Sequence, residues 1–338
     1  MLNWGRLAEY LEAEVDGFKG PIAAKAFDEG QSNPTYKLST PSGEYVLRKQ
    51  PSGELLRGAH AVDREFRVQK SLWGTDVPVA RVLHLCEDPE VIGTKFYLMD
   101  FAEGRIFWDP ALPELEPDER QQVYDEMNRV LAAIHNVDLV ETGLETFGKP
   151  GDYFGRQLRL WTNQYNAADG EDIAAMAPLI EWLEKNLPED DGQTTLVHGD
   201  YRIDNLMFEP DSFRIKAVFD WELSTLGHPL ADLAYQVMQR SMGRDWHLQG
   251  LKGLDIKALG ISSEEEYVAA YCKRRGLEVL EHWTFAKAFA FFRFAAICHG
   301  VGARAKAGNN ASPDAPRVGA MAKPLAEMGL ALAKQAGD

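Results

Sequence analysis

Apolar positions along the chain first alternate at a period of two and later recur at a period near 3.6. Leu2, Leu7 and Leu11 fall on one side of a predicted helix over residues 2–15. Residues 22–28, 34–40 and 43–49 read as strands, and Pro41-Ser42-Gly43 is a hairpin turn between the last two. Ala61, Val62, Phe66 and Leu72 predict a helix over 59–73, stopped by Gly74 and Pro78, before two further strands over 79–86 and 94–101. After Gly104 the character changes. Amphipathic segments run over about 117–136, 152–166, 171–187, 229–241, 263–275 and 281–305, with one β-like interruption from Thr195 to Asp220. Strands first and helices afterwards predict an α+β fold of two lobes, a small β-rich one over 1–101 and a large, mostly helical one over 102–338.

Composition narrows the class of protein. The chain has 338 residues and a mass of 37.8 kDa, enough for a two-lobed enzyme. A formal net charge of −16 argues against a nucleic-acid partner, since such binding rests on cations meeting phosphates. The first hundred residues hold 12 basic and 15 acidic side chains, so most of the acidity lies beyond them and suits a cationic ligand. Cys86, Cys272 and Cys298 are scattered, with no CxxC spacing, which excludes a disulfide framework or zinc cluster and points to a reducing, cytoplasmic setting. The N-terminus lacks the basic start and apolar run of a secretion signal. The most apolar later stretch, Phe285 to Cys298, is interrupted by Lys287 and Arg293 and is too short and too charged to cross a bilayer, so no membrane partner is expected.

The stretch LVHGDYRIDNLMFEPDSFRIKAVFDWE, residues 196–222, carries the chemistry. An apolar strand ends at Val197, a loop brings His198, Asp200 and Asn205, and a hairpin with its turn at Glu209 to Ser212 returns to Asp220. A hairpin that starts at Asn205 and ends at Asp220 brings both side chains to one end, and Asp200 lies just upstream. Oxygen donors of this kind suit a hard cation such as Mg²⁺, and the additional carboxylate can orient a hydroxyl. Together they match the needs of phosphoryl transfer. A polar loop whose Asp and Asn only cap turns is the plainer alternative. An apolar strand ending in Phe219-Asp220, however, sets a carboxylate at the edge of a core, which is costly without a partner.

HGDYRIDN resembles the catalytic loop of the aminoglycoside phosphotransferase and choline kinase superfamily, and FDWE is similar to its version of the kinase metal-binding segment. The resemblance implies a protein-kinase-like fold, ATP (or GTP) and Mg²⁺ as cofactors, Asp200 as the catalytic carboxylate, and Asn205 and Asp220 as metal ligands. It implies that His198 braces the loop and that Asp232, in HPLADLAY, supports it, though an acid at a helix N-terminus reads equally well there. Ser32 and Asn33 stand where kinases carry the loop over the phosphates, without a GxGxxG. Arg48 stands at the position of the kinase lysine. Alternation puts Val46 and Arg48 on one face of the strand and Leu47 and Lys49 on the other, so Lys49 is the alternative phosphate contact. Glu65 stands where it would pair with that cation, and Met99 to Phe101 would meet the adenine edge.

GQSNPTY, DREFRV and FFRFAAICHGVGARAKAGN, among other stretches, are most similar to the kinase-like domain fused to some acyl-CoA dehydrogenases. That branch implies a phosphotransferase acting on a hydroxylated small molecule, a hydroxylated acyl-CoA among the candidates. A nucleotide-binding module without transfer activity and an aminoglycoside kinase are the alternatives. The helix over 281–305 lines up Phe285, Phe289, Phe292 and Ala296 as core, interrupted by Arg293 and His299. Arg293 is expected either to pair with an acid or to meet an anionic group of the acceptor. Arg304 and Lys306 form a basic spot that suits a phosphate tail or a solvated helix end. The oligomeric state is not readable from the sequence.

Overall fold

The computed structural model describes residues 2–27, 33–51, 60–308 and 313–336. In chain order, the first elements are α1 (Trp4–Glu14), β1 (Ala23–Ala26), β2 (Thr35–Thr40), β3 (Gly43–Lys49), α2 (Val62–Leu72), β4 (Val82–Cys86), α3 (Pro89–Ile92), β5 (Phe96–Asp100) and β6 (Arg105–Ile106). There follow α4 (Pro117–His135), α5 (Tyr153–Ala167), α6 (Met176–Lys185), β7 (Thr195–Val197), β8 (Leu206–Phe208), β9 (Ile215–Val218), β10 (Thr225–Gly227), α7 (Leu230–Met238), α8 (Glu264–Arg275), α9 (Trp283–Lys306), α10 (Ala315–Ala320) and α11 (Ala322–Gln335). Strand-rich and helix-rich stretches segregate along the chain, an α+β arrangement. The chain groups into two compact units. One comprises 1–106, 140–144 and 205–224, the other 107–139, 145–204 and 225–338.

The first unit is built on a five-stranded antiparallel sheet of order β1-β2-β3-β5-β4. Thr40 pairs with Gly43 across the Pro41-Ser42 turn, where Gly43 takes φ +143°. The pleat sends alternate residues to opposite faces. Leu47, Phe96 and Leu98 pack with Leu38 and with Leu7 and Leu11 of α1. Val46, Tyr97 and Met99 pack with Val62 of α2 and Ala80. A second, three-stranded sheet of order β6-β8-β9 belongs to the same unit. Arg105 ties it together by donating to the carbonyls of Glu209 and Ser212.

The second unit is helical apart from the antiparallel β7–β10 pair. Two of its helices begin with a capping box. Glu116 and Glu119 form a capping box before α4, which has Pro117 in its first turn. Ser263 and Glu266 do the same for α8, and Gly276 closes that helix in the left-handed region. The centre of the unit is α9, whose Phe285, Phe289, Phe292 and Ala296 are buried as the pattern predicts. This helix runs 24 residues, longer than the apolar stretch in the sequence suggests, and is long and apolar enough to cross a membrane by length and composition. Of its apolar window, 72% is buried inside the protein. No helix is predicted from the sequence beyond residue 305, yet α11 carries Leu325, Met328 and Leu332 at helical spacing. Pro324 falls in the first turn of α11, where a missing N–H costs no helical hydrogen bond. Gly302 and Gly319 let α9 and α10 meet backbone to backbone, since a Cβ on Gly302 would lie 3.0 Å from the Gly319 Cα.

Candidate active site

In the first unit, strand alternation brings Arg48 to the α2 side of the sheet, opposite Tyr97 in the ladder. There its guanidinium spans two carboxylates. Nε lies 2.7 Å from Glu65 Oε2, and Nη2 donates to Glu65 Oε1 at 3.3 Å and to Asp220 Oδ1 at 3.0 Å. Glu65 is buried, and it also accepts from the Asn33 amide at 2.7 Å and the Tyr97 hydroxyl at 3.2 Å. Burial disfavours the Arg48 charge, yet Glu65, Tyr97 and Asp220 outweigh it and hold its pKa above the ordinary value. Burial lifts the Glu65 pKa against the pull of Arg48. Lys49 takes the other face, buried, with Nζ donating to the Gln50 carbonyl at 2.7 Å. Of the two candidate cations, Arg48 is the one that meets Glu65.

Asp220 follows β9 and adopts φ +57°, ψ +59°, a left-handed conformation that Asp tolerates better than most residues. The turn is pinned by the buried Trp221, whose indole N–H donates to the Val218 carbonyl at 2.9 Å, and by the Phe219 N–H donating to the Asn205 carbonyl at 2.8 Å. Carboxylate oxygens of Glu65, Asp220 and Glu222 lie within 4.8 Å of one another. Hard oxygen donors of this kind fit a divalent cation such as Mg²⁺. Glu222 was not singled out from the sequence, although its place in FDWE, two residues after Asp220, was the available signal. Met99 is buried in β5, and Phe101 lies under the Lys37 ammonium, 3.8 Å from the ring centre. Ser32 lies outside the described residues. The Asn33 amide is engaged with Glu65 rather than standing free.

Arg48→Lys is expected to destabilise the protein by about 1–3 kcal/mol, because a single ammonium cannot span both carboxylates. A urea midpoint equal to that of the wild type would show that the fork geometry does not matter.

In the second unit, the segment HGDYRIDN leaves β7 and is fixed through its backbone. The N–H groups of His198 and Gly199 donate to the two oxygens of the buried Asp232, at 2.6 and 2.8 Å. The fully buried His198 accepts the Asp200 N–H on Nδ1 at 3.2 Å, which assigns its own proton to Nε2. Gly199 takes φ +86°, a conformation in which a Cβ would be strained. Asp232 therefore acts as an acceptor for the loop and not as a mere helix-end charge. Burial works to raise its pKa, but His135, His198 and the Gly199 N–H hold it below the ordinary carboxylate range.

The Asp200 carboxylate accepts the Tyr235 hydroxyl at 2.6 Å and lies 3.1 Å from Arg202 Nε. Arg202 also reaches Asp204 at 3.2 Å. Burial pushes the Asp200 pKa up, while Arg202, Tyr235, His198 and Arg293 pull it below the ordinary range, so the group is ionised at neutral pH. Tyr235 escaped the sequence reading; its position three residues after Asp232, one turn along α7, was the available cue. Arg293 pairs with no acid among the described residues. Its guanidinium donates to the Gly199 carbonyl at 3.0 Å and lies over the rings of Trp161 and Tyr235.

His135 links Asp232 to α8. One ring nitrogen lies 2.6 Å from the Tyr271 hydroxyl and the other 3.3 Å from Asp232 Oδ2. Burial lowers the His135 pKa more than Asp232 raises it, and burial lowers those of His84 and His228 as well. A histidine depressed in the folded state protonates first in the unfolded chain, at about pH 6.5. Stability is thus complete above that pH and is lost as pH falls toward the folded-state values, at up to about 1.4 kcal/mol per pH unit for each proton. The urea midpoint is expected to drop between pH 7.5 and 5.5, and a flat or rising midpoint would overturn this assignment.

The fold is that of the protein-kinase-like phosphotransferases. The chain belongs to the phosphotransferase enzyme family, whose model matches residues 23–288. Acyl-CoA dehydrogenase family member 10 of Mus musculus is 47% identical over 319 residues; the match covers 94% of this chain but only 30% of that protein's length. A crystal structure of a Ralstonia eutropha protein, provisionally labelled an aminoglycoside phosphotransferase, superposes with a TM-score of 0.90 at 46% identity and 99% coverage of both chains. An aminoglycoside phosphotransferase crystallised with AMP-PNP and hygromycin B shares the fold, with a TM-score of 0.63 at 16% identity over 96% of this chain and 98% of that one.

Proposed function

We propose that the chain transfers the γ-phosphoryl group of ATP to a hydroxyl of a small-molecule acceptor in a Mg²⁺-dependent reaction. The observation that carries this reading is the Asp200 carboxylate, kept ionised at neutral pH on a loop fixed by Asp232, in a member of a phosphotransferase family. In this reading Asp220 and Asn205 hold the divalent ion, with Glu222 and Glu65 as further oxygen donors, and the ion supplies neutralisation of phosphate charge when bound. Asp200 accepts the hydrogen bond of the acceptor hydroxyl and aligns its oxygen with the phosphorus. Phosphoryl transfer proceeds through a loose transition state, so positioning counts for more than basicity, and a weakly basic carboxylate suffices to take the proton. Arg48 supplies positive charge for the phosphates.

The acceptor class that we favour is a hydroxylated acyl-CoA. Its support is the 47% identity to a protein of the acyl-CoA dehydrogenase family, of which this chain matches a 30% portion. All three cysteines are free, which supports the cytoplasmic setting. Incubation with ATP and Mg²⁺, read by mass spectrometry, is expected to add one phosphate to hydroxylated acyl-CoAs and none to amino sugars. Phosphorylation of amino sugars alone would shift the reading to an aminoglycoside kinase. Absence of turnover with every acceptor would remove the transfer reading. A nucleotide-binding module without transfer is the second reading, favoured by the Arg48 bridge between Glu65 and Asp220. Calorimetry distinguishes it, since such a module binds nucleotide with no requirement for Mg²⁺.

A further inference from the structure

We propose that Arg293 is a positioning residue for Asp200, acting through the Gly199 carbonyl. It lies on α9, more than ninety residues from the loop, and outside the motifs that mark the site. Its side chain is nonetheless bound into the loop: Nη1 donates to the Gly199 carbonyl at 3.0 Å. The N–H groups of that backbone are taken as well, those of His198 and Gly199 by Asp232 and that of Asp200 by His198 Nδ1. The Gly199 carbonyl is a further handle, at a residue whose φ of +86° is open to few residues but glycine. Arg293 holds it from a rigid place. The residue is 8% exposed, and its guanidinium lies 5.6 Å from the centre of the Trp161 ring and 5.7 Å from that of Tyr235. Tyr235 in turn donates to Asp200 at 2.6 Å, so the aromatic wall of the Arg293 site is also a direct partner of the carboxylate.

The charge has a second consequence. Arg293 forms no ion pair with a carboxylate among the described residues. Its protein partners are a carbonyl and two ring faces, and its Nε has no acceptor. A guanidinium left unneutralised in a buried place exerts its field on its surroundings. Among the groups acting on Asp200 are Arg202, Tyr235, His198 and Arg293, with Asp204 on the far side of Arg202. Arg293 thus adds favourable field at the carboxylate while it fixes the peptide just before it.

The catalytic part of this inference rests on the phosphotransfer reading; the structural part does not, and the experiment separates them. Hydrogen exchange of the full chain compares wild type with Arg293→Met and Arg293→Lys. In Arg293→Met the amides of Gly199 and Asp200 are expected to lose about tenfold in protection, with α9 protected as before. Arg293→Lys, which retains a donor and the charge, is expected to recover part of it. Unchanged protection at Gly199 and Asp200 would overturn the proposal, and so would a loss spread evenly over α9. Where wild-type turnover is measurable, kcat is expected to fall about a hundredfold in Arg293→Met with the KM for ATP within twofold. The same substitution placed on Asp200→Asn is expected to cost little more than Asp200→Asn alone. A full hundredfold loss in that background would show that Arg293 acts independently of Asp200. A wild type without turnover would remove the phosphotransfer reading and leave the exchange result to decide the positioning.

Discussion

In the proposed phosphotransfer, Asp200→Asn is expected to lower the rate by about 10²–10⁴-fold, the contribution typical of a positioned acid–base group. The substitution is nearly isosteric. The amide oxygen can still accept from the Tyr235 hydroxyl, and the backbone bonds of the loop to Asp232 do not involve this side chain. What disappears is the negative charge that Arg202 and Arg293 stabilise and the capacity to accept a proton from the acceptor. The loss is expected in kcat, with the KM for ATP little changed, because the proposed nucleotide contacts belong to other residues. Single-turnover kinetics with excess enzyme measure the chemical step directly. A variant that retains wild-type single-turnover rates would exclude Asp200 from the chemistry. Because the Asp200 pKa is held below the ordinary carboxylate range, the rate is expected to show no loss from this group as pH falls to about 5. A limb titrating near neutrality would have to come from another group.

Asp232→Ala has the largest expected effect on stability, about 3–5 kcal/mol, measured as a fall in the urea midpoint. The carboxylate is buried, and its removal deprives two buried N–H groups of their acceptor and leaves His135 without its charged partner. Unmet buried donors cost their full desolvation, which is why the effect exceeds that of an average hydrogen bond. Asp232→Asn is expected to fall between, since one amide oxygen cannot replace two carboxylate oxygens. The pH dependence has the opposite cause from that of His135 but the same sign. A carboxylate depressed in the folded state contributes stability that is complete above the unfolded pKa near 3.9 and is lost as pH falls through the lower folded value. The wild type should therefore lose a further increment of stability below about pH 4 that Asp232→Ala lacks.

Much of the fold was legible because the signals were local. Period-two runs with a Pro-Ser-Gly turn specify β2 and β3, and aromatic residues at helical spacing specify α9. The two C-terminal helices were not read from the sequence: α10 has few large apolar residues, while α11 carries a signal in Leu325, Met328 and Leu332 that was available. In the candidate site, alternation along β3 placed Arg48 and Lys49 on opposite faces but did not decide which of them meets Glu65; that came from the packing of α2 on the sheet. The partners that cross between elements were not legible. No spacing rule relates Arg48 to Asp220, 172 residues apart, or Arg293 to Gly199, 94 residues apart. Those pairings depend on which surfaces pack, and a single chain of letters does not encode that directly. Arg293 shows the cost of local reasoning: of the acid or acceptor anion expected for it, no acid meets it among the described residues, and its protein partners are a peptide carbonyl and two ring faces.

The grouping of residues 205–224 with the first hundred has a consequence for biosynthesis. The boundary between the units falls between Asp204 and Asn205, in the middle of the motif. The first unit cannot finish folding when its opening sheet leaves the ribosome, because β8, β9 and the Asp220 turn are still unmade. Until then Arg48 and Glu65 wait without their third partner, and a truncated fragment ending at Ile106 would expose the edge of β6 that β8 later covers.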